Sequence, residues 1–151
     1  MKQTESRKTR QYLIAHGIRP STQRVAIMQY LWDNRTHPTA EEIYMDLLPH
    51  IPTLSKTTVY NTMKLFIQQG VALQIDIDGR NARFDGDIST HAHFQCRLCN
   101  RIFDLPQPNL RSALFTGDGF VLERFCVNMR GLCPECSRSV SETEEEAPKL
   151  V

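Results

Sequence analysis

Positions 91 to 104 read His91-Ala-His93-Phe-Gln-Cys96-Arg-Leu-Cys99-Asn-Arg-Ile-Phe-Asp104, which packs two kinds of metal ligand into fourteen residues. His91 and His93 stand two apart on a β-prone run, and the period of a strand turns both imidazoles to one face. Cys96 and Cys99 form a Cys-x-x-Cys knuckle, and Cys133-Pro-Glu-Cys136 supplies a second. Together they offer four thiolates to one tetrahedral zinc ion. Asp104 follows on a short Arg-Ile-Phe-Asp-Leu strand, from which its carboxylate can swing towards the histidine pair. Nitrogen and oxygen ligands of that kind suit iron(II), manganese or zinc in a site separate from the thiolates. Histidine pairs on strands are commonly surface or packing chemistry, and here it is the adjoining knuckle and carboxylate that favour a metal. Two knuckles without an export signal point to structural zinc rather than disulfides.

The 151 residues can hold one ordinary domain or two small ones, and a hydrophobic fraction of 40% is compatible with packed cores. The first ten residues are polar with no apolar run behind them, and no segment approaches a membrane span, so a cytoplasmic protein without membrane contact is expected. Five cysteines, four of them in knuckles, agree with a reducing compartment and leave Cys126, expected as a buried strand residue. Net charge is +1 but unevenly spread. Residues 1–84 carry 11 Lys and Arg against 7 Asp and Glu, a net of +4, whereas residues 85–151 carry 7 against 10, a net of −3. The front half is suited to phosphates and the back half is not.

Residues 5–16 read as a polar helix ending at Gly17, with His16 at its end. Ser21 or Thr22 caps a helix through Asn34 whose Val25, Met28, Leu31 and Trp32 make an apolar stripe. After a His37-Pro38 loop, Thr39 and Glu42 form a capping box for a short helix ending near Leu48; His50 reads as loop. Ser55 opens a helix over 55–69 that Gly70 terminates. Val59, Met63, Phe66 and Ile67 share one face, and Thr57, Tyr60, Asn61 and Lys64 the other. An ordinary amphipathic helix with a wet polar face would give this pattern. A Tyr beside Asn and Lys, with Ser55, Thr57 and Thr58 available for phosphate in the first turn, suits a helix entering the major groove. Strands over 71–77 and 80–85, joined through Asp78-Gly79 as a tight hairpin, complete a winged helix. Residues 86–90 read as a hinge. A compact unit follows: the histidine strand, a strand over 101–105, a helix from Asn109 to Phe115, a strand from Phe120 to Met129 and the second knuckle. Some sixty residues bury too little to stand comfortably alone, so zinc and a partner subunit are expected to make up the deficit. Residues 137–151, rich in Ser and Glu, are expected to be a disordered acidic tail. The fold class is thus α+β. A winged-helix DNA-binding domain spans 1–85, with a hinge at 86–90, a small α/β metal-binding dimerisation domain with a four-cysteine zinc site at 91–136, and the tail beyond.

In this order, the winged helix, hinge, His-x-His and paired knuckles resemble the ferric uptake regulator (Fur) family of bacterial metal-dependent repressors over residues 5–136. The residues carrying the resemblance are Arg19-Pro-Ser-Thr-Gln-Arg24, His37-Pro-Thr-Ala-Glu-Glu-Ile-Tyr44, Ser55-Lys-Thr-Thr-Val-Tyr60, Gly70 and the block from His91 to Cys99. The resemblance implies a homodimer on palindromic operator DNA, a structural zinc on Cys96, Cys99, Cys133 and Cys136, and a regulatory iron(II) or manganese(II). By position, the regulatory ligands would be His37, Asp85, His91, His93 and Asp104. It adds Arg24 to Ser55, Thr57, Thr58, Tyr60, Asn61 and Lys64 as expected DNA contacts. Three neutral imidazoles and two carboxylates balance a divalent ion and leave room for a further ligand.

Asp85 and Asp104 at the carboxylate positions, together with Asn61, resemble the peroxide-sensing PerR branch, since iron-uptake members usually carry Glu at those positions and Arg in place of the Asn. Thr90 and Ala92 interrupt the longer His-rich block of many iron regulators, so two metals per subunit are expected. The resemblance then implies release by hydrogen peroxide, with His37 or His91 as the residue oxidised. An iron- or manganese-responsive repressor is the alternative within the family. A non-haem metalloenzyme is the alternative outside it, although no general base or substrate pocket is evident, so the chain is read as a regulator and not an enzyme.

Overall fold

The computed structural model describes residues 2–77, 79–106, 117–123 and 125–145. The chain divides into two compact units, residues 1–89 and 90–151. In the first, α1 (Lys2–Ala15), α2 (Thr22–Asp33), α3 (Ala40–Leu47) and α4 (Lys56–Gln68) precede a two-stranded antiparallel sheet of β1 (Leu73–Ile75) and β2 (Arg83–Asp85). The helix starts follow from side chains that satisfy otherwise orphaned N–H groups. Ser21 Oγ accepts from Arg24 N, and Ser55 Oγ from Thr58 N. Thr39 and Glu42 form the reciprocal capping box. Val25, Met28 and Leu31 of α2, Ile43 of α3, and Val59, Met63 and Phe66 of α4 meet in one core with Leu13, Val71 and Phe84. Thr62, absent from the sequence-based core face, is buried there too.

The hairpin departs from expectation. A two-residue Asp78-Gly79 turn would place Ile75 opposite Ala82, whereas the ladder pairs Ile75 with Arg83, Gln74 with Phe84 and Leu73 with Asp85. Pairing is shifted by one residue and ends at Ile75, leaving a longer connection in which Gly79 has φ 69°; Asp78 lies outside the described residues. The shift is fixed by β2, because Phe84 is buried in the core and its N–H donates to the Pro38 carbonyl at 2.9 Å. A one-residue slip would turn Phe84 out of the core, a larger loss than a poorer turn.

In the second unit the strand order is β4-β3-β5, with β3 (Ala92–Cys96) antiparallel to β4 (Ile102–Leu105) and parallel to β5 (Val127–Gly131). β5 begins later than expected: residues 120–123 and 125–126 are irregular. The parallel ladder starts at Ala92 opposite Val127, so β5 begins where β3 does. Cys126 is accordingly exposed and outside the strand, not a buried strand residue. The expected helix over 109–115 lies outside the described residues.

The tail also differs from expectation. Residues 137–145 are helical, part of α5 (Pro134–Glu145), and the remainder of the tail lies outside the described residues. Pro134 is preorganised for a first helical position, and Glu135 lies at the positive end of the helix dipole. The hydroxyls of Ser139 and Ser141 donate to the carbonyls four residues back, so both polar side chains find their partners within the helix. Among the described residues, no helix is long and apolar enough to cross a membrane.

Candidate metal centres and nucleic-acid interface

The two knuckles are brought together by the central strand. Cys96 ends β3, where its N–H donates to the Arg101 carbonyl (2.9 Å) and its carbonyl accepts from Asn100 N (2.9 Å). Asn100 closes the first knuckle at φ 59°, a left-handed conformation that Asn tolerates. Cys96 pairs with Gly131 at the end of β5, so Cys133 arrives two residues later and its N–H points at Cys96 Sγ, 3.4 Å away. Cys136, one helical turn on, donates its N–H to Cys133 Sγ at 3.5 Å. The four sulfur atoms lie within 4.8 Å of one another, with Cys99 and Cys133 at 3.9 Å. A tetrahedral zinc with bonds of about 2.3 Å needs sulfur separations of about 3.8 Å, so the set fits.

The sulfurs also differ in acidity. The Cys99 backbone N–H, helped by that of Cys133, outweighs burial and pulls the Cys96 thiol down to about 6. The Arg101 guanidinium lowers Cys99. Cys136, which donates to Cys133 and sits among the other sulfurs, is pushed up to about 12. Neighbouring thiolates repel, and a divalent cation is what lets all four ionise together.

The hard ligands form two groups, one in each unit. In the first, His37 and Asp85 are both buried, with His37 Nε2 3.4 Å from Asp85 Oδ2. His37 has φ 55°, a strained backbone conformation held in place from β2. Arg83 Nη1 donates to the His37 carbonyl at 3.1 Å, and Thr39 bridges Arg83. Asp85 is fixed by its other oxygen, Oδ1, which accepts from Asp87 N at 2.8 Å. Asp87 in turn is tied to Arg35 (2.6 Å) and to Ser89. The next residue, Gly86, allows the chain to press onto α2: a Cβ there would stand 3.0 Å from Leu31 Cβ and 3.2 Å from its carbonyl carbon.

In the second unit, His93 pairs directly with Asp104 across β3 and β4. Asp104 Oδ1 lies 3.2 Å from His91 Nε2 and 3.5 Å from His93 Nε2, and the imidazole centroids are 4.5 Å apart. Cis donors each about 2.1 Å from one ion stand about 3.0–3.4 Å apart, so both groups are spaced as ligand pairs. Sequence reasoning missed Arg35, Arg83, Gly86 and Arg101. None bears a motif, and each acts through a contact distant in sequence or through the space it leaves.

Thr57, Tyr60, Asn61 and Lys64 are all exposed on α4, opposite the buried Val59, Met63 and Phe66. Ser55 and Thr58 are committed to the cap, their hydroxyls 2.8 Å apart. Arg24, half-buried, donates to the Arg19 carbonyl (2.8 Å) and joins Arg19, Gln23, Thr58 and Asn61 around a cleft of about 530 Å³ where the start of α2 meets α4. The expected DNA contacts therefore share one surface of the first unit.

Residues 15–122 match the model of the ferric uptake regulator family. The peroxide-responsive repressor PerR of Staphylococcus aureus is 36% identical over 124 residues, covering 80% of this chain and 83% of that protein. Among solved structures, the Helicobacter pylori ferric uptake regulator, in which three functional metal-binding sites were found, aligns over 91% of this chain and 94% of its own with a TM-score of 0.70 at 19% identity. The structure of Streptococcus pyogenes PerR, solved to explain peroxide sensing and gene regulation, covers 87% of this chain and 92% of its own, with a TM-score of 0.50 and 27% identity. With the family model spanning most of both units and the paired knuckles and His/Asp groups in place, this chain belongs to the ferric uptake regulator family.

Proposed function

We propose that the protein is a metal-dependent transcriptional repressor that binds palindromic operator DNA as a homodimer and is released by hydrogen peroxide. The observation carrying this reading is the pair of hard-ligand groups, His37 with Asp85 and His91 and His93 with Asp104, spaced as ligands but drawn from separate units. Joined around one iron(II) or manganese(II), they would couple the DNA-binding unit to the dimerising one. That coupling would set the distance between the two α4 helices of a dimer, which must match half-sites on one face of the duplex. The four cysteines would hold zinc and keep the second unit folded. The similarity to repressors named PerR, and Asp at both carboxylate positions, support the peroxide branch.

Bound iron(II) would supply the one-electron chemistry that activates peroxide beside its ligands. His37 or His91 then gains one oxygen atom at the ring carbon between its nitrogens, and water carries away the other. The oxidised ring is a poor donor: loss of His37 leaves Asp85 alone in its group, whereas loss of His91 leaves His93 with Asp104. His37 is the more consequential target, because its loss undoes the first unit's group and leaves only Asp85 there.

The test loads the chain anaerobically with iron(II) or manganese(II) and follows inverted-repeat duplex retention and peptide masses after a small excess of peroxide. Release of the iron form alone, with oxygen gained on His37 or His91, is expected. Release that tracks disulfide formation among Cys96, Cys99, Cys133 and Cys136, with both histidines intact, would overturn the mechanism. An iron form that stays on DNA would identify an iron- or manganese-responsive regulator instead.

A further inference from the structure

Cys99 is the most exposed of the four clustered cysteines, and it carries a contact the others lack. Arg101 Nε donates to Cys99 Sγ at 3.4 Å, while Arg101 Nη2 pairs with the Glu135 carboxylate, which belongs to the second knuckle. Glu135 and the Phe103 ring, 5.5 Å from the guanidinium carbon, hold the cation over the cluster. A zinc ion with four thiolates has a formal charge of −2, and that excess makes its sulfurs nucleophilic. We propose that Arg101 shields the zinc cluster from oxidation by placing a fixed positive charge and a hydrogen-bond donor on its most accessible sulfur. The inference rests on the zinc reading of the four cysteines.

The reaction opposed is two-step. The Cys99 thiolate attacks one oxygen of hydrogen peroxide, the O–O bond breaks and hydroxide leaves. Sulfur has then lost two electrons to peroxide and become a sulfenic acid. A second cluster thiolate attacks that sulfur and expels hydroxide, closing a disulfide and leaving zinc with two ligands. A guanidinium donating to Cys99 draws electron density from the attacking lone pair and slows the first step, whose rate controls the loss of zinc. In a chain whose proposed signal is itself peroxide, this contact would keep the structural site unresponsive while the histidines respond.

The experiment uses the full-length, zinc-loaded, iron-free chain in a Cys126→Ser background, so that the remaining exposed thiol takes no part. Zinc content is measured first; a wild-type chain without zinc refutes the zinc reading itself, independently of Arg101. Zinc release into a chromogenic chelator is then timed under excess peroxide. Arg101→Gln should release zinc about tenfold faster, in the range seen when outer-shell partners of a metal are lost. Arg101→Lys, which keeps the charge without the fork, should fall between. Glu135→Gln leaves Arg101 its charge, its Phe103 contact and its bond to Cys99 but loosens the pair that helps hold it over the cluster, so zinc should leave at a rate between those of the wild type and Arg101→Gln. Equal rates for Arg101→Gln and wild type, or for Arg101→Lys and Arg101→Gln, would overturn the proposal. So would a Glu135→Gln protein as labile as Arg101→Gln, since that would make the pair a structural tie and nothing more.

Discussion

Gly86→Ala tests whether close packing after β2 is what fixes Asp85. The added Cβ would stand 3.0 Å from Leu31 Cβ and 3.2 Å from both the Leu31 carbonyl carbon and Trp32 Cδ1. Non-bonded carbons prefer about 3.5–4.0 Å, so the methyl is about half an ångström too close. One of the opposing atoms is backbone and cannot rotate away. Leu31 is 1% exposed in the core, so α2 cannot retreat without disturbing its neighbours. Overpacking of this kind costs about 1–3 kcal/mol, and a domain of this size loses about 4–8 °C of midpoint per kcal/mol. The strain is relieved by lifting the chain off α2, which drags Asp85 from His37. Manganese affinity should therefore fall while zinc content is unchanged. Denaturant unfolding of the zinc form gives the first quantity and titration with manganese(II) the second. Gly70→Ala is the control: its Cβ meets nothing within 4 Å, but φ is 71°, so it should cost about 1–2 kcal/mol in backbone strain alone and leave manganese affinity intact. A Gly86→Ala protein with unaltered stability and manganese affinity would refute the packing argument.

Cys96→Ser should lose zinc and, with it, much of the dimer; metal analysis and sedimentation would show this, and a zinc-replete dimer would remove the assignment. On α4, Asn61→Ala should cost about 1–3 kcal/mol of operator binding and relax preference at one base pair, whereas Lys64→Ala should weaken all duplexes alike and flatten the salt dependence. Unchanged binding in both variants would mean that another surface reads DNA. The exposed Lys56–Glu41 pair (2.7 Å) lowers the Glu41 pKa and raises that of Lys56, in each case first through their hydrogen bond. Its contribution is therefore full between the two unfolded values, near 4.5 and 10.5, and is lost as pH falls through the folded Glu41 value or rises through that of Lys56. Glu41→Gln should remove this share of both limbs in urea unfolding across pH, and an undiminished difference in high salt would contradict it.

What was legible in the sequence was local. Ser21, Thr39 with Glu42, and Ser55 announce their helices because a cap is made within three residues. The four cysteines announce themselves because zinc dictates ligand type and spacing. The failures are where a distant contact decided the outcome. Asp78-Gly79 was a sound turn signal, but burial of Phe84 and its bond to Pro38 set the register instead. The start of β5, and with it the exposure of Cys126, was decided by where β3 begins. The Ser/Glu-rich tail read as disordered from composition, yet its helix grows from the second knuckle, where Cys133 O accepts from Ser137 N at 2.8 Å. In the ligand groups, residue types could be read, but what holds His37 in its left-handed conformation could not. Arg83 reaches its carbonyl from 46 residues away.

The parallel pairing of β3 with β5 also imposes an order on synthesis. An antiparallel partner can be reached by a short turn, and β4 is, but a parallel one requires the chain to travel back before it can pair. When the ribosome has released β3 and β4, a nascent chain owns Cys96 and Cys99 and no other clustered thiol. The second pair begins only at Cys133, 34 residues after Cys99, and is complete at Cys136. Two thiolates make an incomplete site, so zinc capture and the docking of β5 must occur as one late, cooperative event. Until then the β5 edge of β3 is an open strand edge, available to the same strand of another nascent chain. Zinc supply during translation should thus govern how much of the protein reaches the soluble fraction, before any regulatory metal or DNA is involved.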